Sequence, residues 1–250
     1  MLILIYMDKK IMEIISRSDI LLEILDSRFP KSCRLYSIEK YIKNFNKKLI
    51  LVLNKSDLVP EDFLDIVVDA FNNEFPTVYV STKTRRGSRL LRKMIKDISN
   101  KNKEKIYIGL FGYPNTGKSS ISNLLTGRKR SLTSPSPGFT KGLQMIRLSR
   151  RYYIIDSPGI ILPREEYKMA ILGSIRIENI KFPEKAVFYL YKHIGKSPFK
   201  DYYNIEFNNF KDLYDKLRKK YNIKDKNWIK RISIIILNDW YKGNIRGYWL

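Results

Sequence analysis

The run GYPNTGKS (Gly112–Ser119) constrains this chain more than any other feature. It fits G-x-x-x-x-G-K-S, a loop whose glycines let the backbone curl until its N–H groups point inward around a phosphate. Such a loop works between a buried strand and a helix that adds its N-terminal dipole. KIYIGLFG (Lys105–Gly112) reads as the strand, and Lys118–Leu125 as the helix. Lys118 is then placed to neutralise β- and γ-oxygens, and the Ser119 hydroxyl to bind Mg²⁺. The candidate nucleotide-binding residues here are Asn115, Thr116, Gly117, Lys118, Ser119 and Ser120. A chain built around this unit is expected to be α/β.

Other strands are expected at Asp19–Asp26, Lys48–Asn54 and Thr77–Ser81, with gaps carrying helical patterns, as parallel crossovers require. Leu143–Ser149 and Arg151–Ser157 are nearly adjacent and read as a hairpin, which gives a mostly parallel sheet with one antiparallel edge pair. After Tyr167 the spacing turns helical, in the segments starting YKMAIL, PEKAVF, FNNFKD and KNWIKR. In the third, Phe207, Phe210, Leu213, Tyr214, Leu217 and Tyr221 fall on one face. The reading is residues 1–166 as a nucleotide-binding domain and 167–250 as a small all-helical, basic one.

Two more motifs flank the loop. Asp156 in DSPG (Asp156–Gly159) ends a strand where a carboxylate holds Mg²⁺ through water, and the Gly159 N–H meets a γ-phosphate. Between them SPSPGFTKG (Ser134–Gly142) offers Thr140 as a second Mg²⁺ ligand, or is an ordinary surface loop. Lys118, Thr140 and Gly159 are the candidate catalytic residues; Ser119, Thr140 and Asp156 are the candidate Mg²⁺ set.

NKSD (Asn54–Asp57) comes earlier, at the end of the strand Lys48–Asn54. An Asp carboxylate accepts both N1–H and the exocyclic amine of guanine, a donor pair that adenine lacks. Asn54 suits N7 and O6, and the Lys55 stem suits the base plane. The alternative is a helix cap by Ser56 or Asp57. VSTKTRRG (Val80–Gly87) would bring the backbone of Ser81 and Thr82 to the guanine O6. The base motif thus precedes the phosphate loop.

That order, with the site rejoined by unchanged sheet neighbours, resembles the circularly permuted GTPases, most closely the YlqF/YawG type of ribosome-assembly factor. LLEILDSRFP (Leu21–Pro30) is similar to that family's strand ending in an Asp-Ala-Arg turn, with Ser27 for Ala. PGFTKG resembles its Pro-Gly-Thr-Thr-Lys loop, with Phe139 substituted, and Leu172–Leu190 resembles the start of its helical domain. The resemblance implies GTP and GDP as ligands, Mg²⁺, GTP hydrolysis to GDP and phosphate, and the large ribosomal subunit or its rRNA as partner. It also makes Asn115 a candidate K⁺ ligand, beside a loop-shaping role for that residue. Ile160, where many GTPases place a water-orienting glutamine, cannot orient water, so unassisted turnover is expected to be slow. Certain relatives carry an N-terminal histidine implicated in hydrolysis. Here the sole histidine is His193, in a helical pattern, read as structural or surface. The loop after Asp156 runs through Ile160–Lys168 into the helical part, so nucleotide state is expected to swing or release that part.

The net charge of +23, from 48 Lys+Arg and 25 Asp+Glu, points to a polyanion. Lys83–Lys103 holds nine Lys/Arg against Asp97 alone; its helix, Ser88–Ile98, is expected to pack through Leu90, Leu91, Met94, Ile95 and Ile98, with Arg89, Arg92, Lys93 and Lys96 outward. Arg128–Ser131 and Lys181–Leu250 add more charge, and some of the aromatics in the latter are expected to stack on unpaired RNA bases. A solvated helix face is the plainer alternative. Cys33 alone implies no disulfide-linked partner and a reducing compartment. MLILIY (Met1–Tyr6) is too short to span a bilayer, and is a strand or, if Met7 is the start, an upstream extension. A cytoplasmic protein without a membrane partner is expected. Two further readings stay open: an RNA-binding scaffold in which GTP is mainly structural, and an ATP-using enzyme, against which Asn54, Lys55 and Asp57 argue.

Overall fold

The computed structural model describes residues 9–127, 144–156 and 165–250. Several expected features lie outside the described residues: Met1–Tyr6 with Met7, Arg128–Ser131, the Ser134–Gly142 loop with Thr140, and Gly159 with Ile160. The chain divides into two compact units, Met1–Leu162 together with Leu250, and Pro163–Trp249.

The first unit contains α1 (Lys9–Arg17), β1 (Ile20–Asp26), α2 (Pro30–Cys33), α3 (Tyr36–Asn44), β2 (Lys48–Asn54), α4 (Glu61–Asn72) and β3 (Thr77–Tyr79). It continues with α5 (Ser88–Ile98), β4 (Ile106–Phe111), α6 (Lys118–Thr126), β5 (Gln144–Arg147) and β6 (Tyr152–Asp156). The strands form one sheet in the order β3-β2-β1-β4-β6-β5. All neighbours run parallel except β5 and β6, the expected hairpin at one edge. β1 is buried at every position, as a central parallel strand covered on both faces must be. Its register with β2 sets Asp26 beside Asn54, so the ends of both strands reach the same level.

Two strands end earlier than the sequence suggests. β3 stops at Tyr79 because the Val80 N–H still bonds Leu53, while the Ser81 N–H turns to the Arg86 carbonyl and closes a loop. β5 stops at Arg147 because the Leu148 and Ser149 N–H groups both turn to Tyr152 O in the hairpin. α5 has the expected limits, but Leu90 is 52% exposed. Leu91 and Ile95 are buried and Met94 and Ile98 partly so, a stripe at i, i+3, i+4 and i+7 that leaves Leu90 off its flank.

The second unit is helical: α7 (Glu166–Ile171), α8 (Pro183–Ile194), α9 (Ser197–Tyr203), α10 (Phe210–Lys220) and α11 (Trp228–Lys242). The YKMAIL segment is helical only to Ile171 and then turns through Gly173 to a short 3-10 turn at Ile177–Asn179. Leu213, Tyr214 and Leu217 bury the expected face of α10, and Phe207 is buried ahead of it. Tyr221, past its end, is 40% exposed. The core is aromatic: the Trp240 indole donates to Ile171 O, and the hydroxyls of Tyr202 and Tyr203 donate to the two Asp239 oxygens at 2.9 and 3.0 Å. Burial, and then the Asp239 charge, push the Tyr203 hydroxyl far above its ordinary range. Among the described residues no helix is long and apolar enough to cross a membrane.

Candidate nucleotide site

The chain leaves β1 toward β2 on one side and leaves β4 toward β6 on the other. The crevice at their carboxyl ends is therefore the switch point at which open α/β sheets bind ligands. The loop between β4 and α6 enters it under tight constraint. At Gly112 (φ +142°) a Cβ would lie 2.5 Å from Ile24 O on the adjacent strand. At Gly117 (φ +99°) it would lie 2.1 Å from the Asn54 amide nitrogen. Any side chain at Gly117 therefore pushes the phosphate loop and the base motif apart.

Those two motifs are joined. Asn54 ends β2, and its Nδ2 donates to Thr116 O at 2.8 Å, across 62 positions of sequence. Its Oδ1 is buried without a protein partner. The Ser27 backbone N–H and hydroxyl both donate to the Asn54 carbonyl, at 2.9 and 2.6 Å. Asp57 accepts from the Ser81 hydroxyl at 2.6 Å, and the same hydroxyl accepts from the Thr84 N–H. The helix-cap alternative fails, because α4 is capped by Pro60 without a side-chain bond and Asp57 is committed to Ser81. Thr82 and Ser120 line one cavity of about 460 Å³, with Lys83 and Arg92 on its wall.

Within the loop, Thr116 Oγ1 and Lys118 Nζ both donate to Tyr113 O, at 2.9 and 2.7 Å. Lys118 is 6% exposed, and its ammonium thus stays inside the loop that would curl around a phosphate. Asn115 is exposed in a left-handed conformation (φ +61°), which bends the loop. Ser119 is exposed on the first turn of α6. Asp156 ends β6 in register with Leu110, two positions before the loop. Thr140 and Gly159, expected here as well, lie outside the described residues.

Asp26 and Arg28 are site residues without a role in the sequence reading. Arg28 grips both Asp26 oxygens, Nε to Oδ1 at 3.0 Å and Nη2 to Oδ2 at 2.9 Å, and the Arg28 N–H adds a third bond. Lys55 Nζ joins Oδ2 at 2.8 Å. Burial alone would raise the Asp26 carboxyl, but the Arg28 and Lys55 cations outweigh it and hold it far below the ordinary carboxylate range. Lys55 is in the left-handed region (φ +62°), and the ion pair fixes the direction of its stem. LDSRFP carried this signal as a motif, but its link to Lys55 exists only through the β1–β2 register.

The residues fit a guanine nucleotide: a buried acceptor on Asn54, a carboxylate held by Ser81, a clamped lysine stem and a loop that only glycine allows. A family model described as a 50S ribosome-binding GTPase matches residues 107–230. The chain is 36% identical over 249 residues to the uncharacterized GTP-binding protein MJ1464 of Methanocaldococcus jannaschii, covering 96% of this chain and 66% of that protein. It is 33% identical over 246 residues to nucleolar GTP-binding protein 2 of Yarrowia lipolytica, covering 93% and 48%. It is 31% identical over 289 residues to nuclear GTP-binding protein NUG1 of Saccharomyces cerevisiae, covering 97% and 56%. It thus spans between about half and two thirds of these relatives' length.

Proposed function

We propose that the chain carries a GTP-binding domain of the P-loop GTPase family, of the type its family model describes, and that it hydrolyses GTP while acting on the large ribosomal subunit during assembly. The observation that carries the reading is the Asn54–Thr116 bond, which ties an early base motif to a later phosphate loop. We propose that the domain is circularly permuted, with residues 1–166 binding the nucleotide and 167–250 binding rRNA. The strand order is consistent with this, since β2, which ends in the base motif, and β4, which enters the phosphate loop, flank β1 and run parallel to it, so their carboxyl ends open on the same edge whichever comes first in the chain.

Asp57 selects guanine through N1–H and the exocyclic amine, held in place by Ser81. Asn54, with the Thr82 backbone, faces the N7 and O6 side, the Ser81 N–H expected there being held by the Arg86 carbonyl, and Lys55 covers the base plane under restraint from Asp26. Asn115 to Ser120 wrap the phosphates, and Lys118 turns from Tyr113 O toward the β/γ oxygens. Ser119, Thr140 and Asp156 are the residues to hold Mg²⁺, which when bound offsets phosphate charge. Gly159 meets the γ-phosphate, and Asn115 is a candidate K⁺ ligand. With Ile160 unable to position water, turnover is slow until the RNA partner assists. Location in the cytoplasm belongs to the same proposal; the fungal relatives' names place those proteins in the nucleolus or nucleus.

The test is sedimentation of the purified protein with large and small subunits, in a non-hydrolysable GTP analogue, in GDP and without nucleotide. Analogue-dependent binding to the large subunit is expected. Equal binding in all three states would replace the switch with a scaffold, and no binding to either subunit would remove the ribosome from the proposal.

A further inference from the structure

α8 has two apolar sides, and only one of them is needed by the fold. Ala186, Val187 and Leu190 are buried against the rest of the unit, while Phe188 is 44% exposed. A groove of about 510 Å³ runs along this outer side, lined by Tyr167, Lys185, Phe188, Tyr189, Lys192 and Phe210. The rings are braced by other rings. Phe188 stands edge-on to Phe210 with centroids 5.2 Å apart, and Tyr189 leans on Tyr167 at 5.0 Å and on His193 at 4.1 Å. Braced rings keep their faces presented without a further loss of side-chain freedom on binding.

Cations mark the rim. Lys192 Nζ lies 5.4 Å from the Phe188 centroid and Lys185 Nζ 4.6 Å from that of Phe182, while Lys168, 5.6 Å from the Tyr167 centroid, is paired with Glu165. Phe182 is itself 51% exposed. Among the described residues Glu184 is the one acid lining the groove. Flat apolar faces interleaved with mobile cations match a ligand that alternates flat rings with anionic links, which is a single strand of nucleic acid. An amphipathic helix laid on the groove would answer the rings alone, and the lysines beside them would need acids on its flanks.

We propose that this groove binds one or two unpaired bases of RNA, stacked on Phe188 and Tyr189, with the adjoining phosphates on Lys185 and Lys192. The proposal rests on the reading of RNA as the partner and names the place and the kind of RNA: unpaired rather than helical. A lysine now lying over its ring swings to a phosphate on binding, and the ring face is freed for the base.

The test uses the full chain and two labelled probes, a single-stranded ten-nucleotide oligouridine RNA and a fully paired RNA duplex. Phe188→Ala is expected to weaken single-strand binding by roughly five- to a hundredfold, to leave duplex binding and GTP affinity unchanged, and to be rescued by Phe188→Tyr. Because the side chain is already half exposed, its truncation leaves the core intact. Single-strand binding equal to wild type, or an equal loss on both probes, would overturn the assignment of the groove while leaving RNA as partner. A wild-type chain that binds GTP but neither probe would overturn both. Unchanged RNA affinity in Phe188→Ala, with loss of attachment to protein-bearing subunits, would assign the groove to a peptide and overturn the proposal too.

Discussion

The carboxyl edge of the sheet and the outer side of α8 both present groups suited to phosphate-bearing ligands, and they do it in opposite ways. At the sheet edge each polar group is held by another: Asp57 by Ser81, Asn54 by Thr116, Lys55 by Asp26 and Asp26 by Arg28. On α8 Phe188 is exposed and Tyr189 partly so, and Lys185 and Lys192 rest on rings rather than on carboxylates. A buried, mutually held set discriminates between ligands of one size by leaving a wrong one with unpaired groups. An exposed set binds a class of polymer and adapts to it. The cost of mutation to stability should therefore be high at the edge and low on the surface.

The largest effect is expected at Asp26. Its side chain and that of Arg28 are 3% and 2% exposed, and removing one partner strands a buried charge. Asp26→Ala should cost about 3–5 kcal/mol of stability, read by urea denaturation of the nucleotide-free chain. A loss near that of a surface pair would put this network in the same class as α8. Next is Gly117→Ala, which adds left-handed strain of about 1–2 kcal/mol and breaks a buried bond worth about 1–3 kcal/mol. GTP affinity should fall roughly 30-fold to several thousandfold. Unchanged binding would mean that the phosphate loop and base motif are not coupled.

Glu23 sharpens the comparison, because it lies three positions before Asp26 on β1 and behaves in the opposite sense. Burial, and then the Glu39 carboxylate, hold its carboxyl well above the ordinary range, while the Leu35 N–H bond to Oε1 and the Arg34 cation only partly offset this. The native state thus keeps a proton that the unfolded chain releases. This contribution is fully present below the unfolded carboxyl pKa and is lost as pH rises through the native one. Glu23→Gln should therefore gain on wild type by about 1.4 kcal/mol for each pH unit in that interval. Parallel stability–pH curves would contradict it. Asp26 has the reverse sign: its contribution is present above the unfolded pKa and falls away in acid. The smallest effect is expected on the exposed face of α5, where Lys93→Ala should lower the salt dependence of RNA binding by about one phosphate contact and leave GTP affinity alone.

What was legible in the sequence follows the range over which each signal acts. β2 and α5 end where expected, and α8 starts where expected, because strand alternation, helical period, Gly87 and Pro183 are all local. α1 has an equally local stripe, with Ile11, Ile14 and Ile15 buried, yet its isoleucine-rich composition conceals a helix among β-branched residues. The base motif and phosphate loop were legible as separate pieces. The clamp of Asp26 and Arg28 on Lys55 was not, since nothing in either segment states which strand its neighbour is. Leu90 and Tyr221 show the same limit at the surface. Period places them near an apolar face, but packing leaves both outside it.

The central claim is that Asp57, held by Ser81, reads guanine in a site completed by the later loop. The most direct measurement is the affinity of wild type and Asp57→Asn for GTP, ATP and xanthosine triphosphate, which carries a carbonyl where guanine carries its amine. Wild type should prefer GTP. The variant should lose about 1.5–3 kcal/mol of GTP binding, roughly ten- to a hundredfold, and gain affinity for xanthosine triphosphate. A variant that binds GTP as tightly as wild type, with no gain for the xanthine nucleotide, would contradict the account.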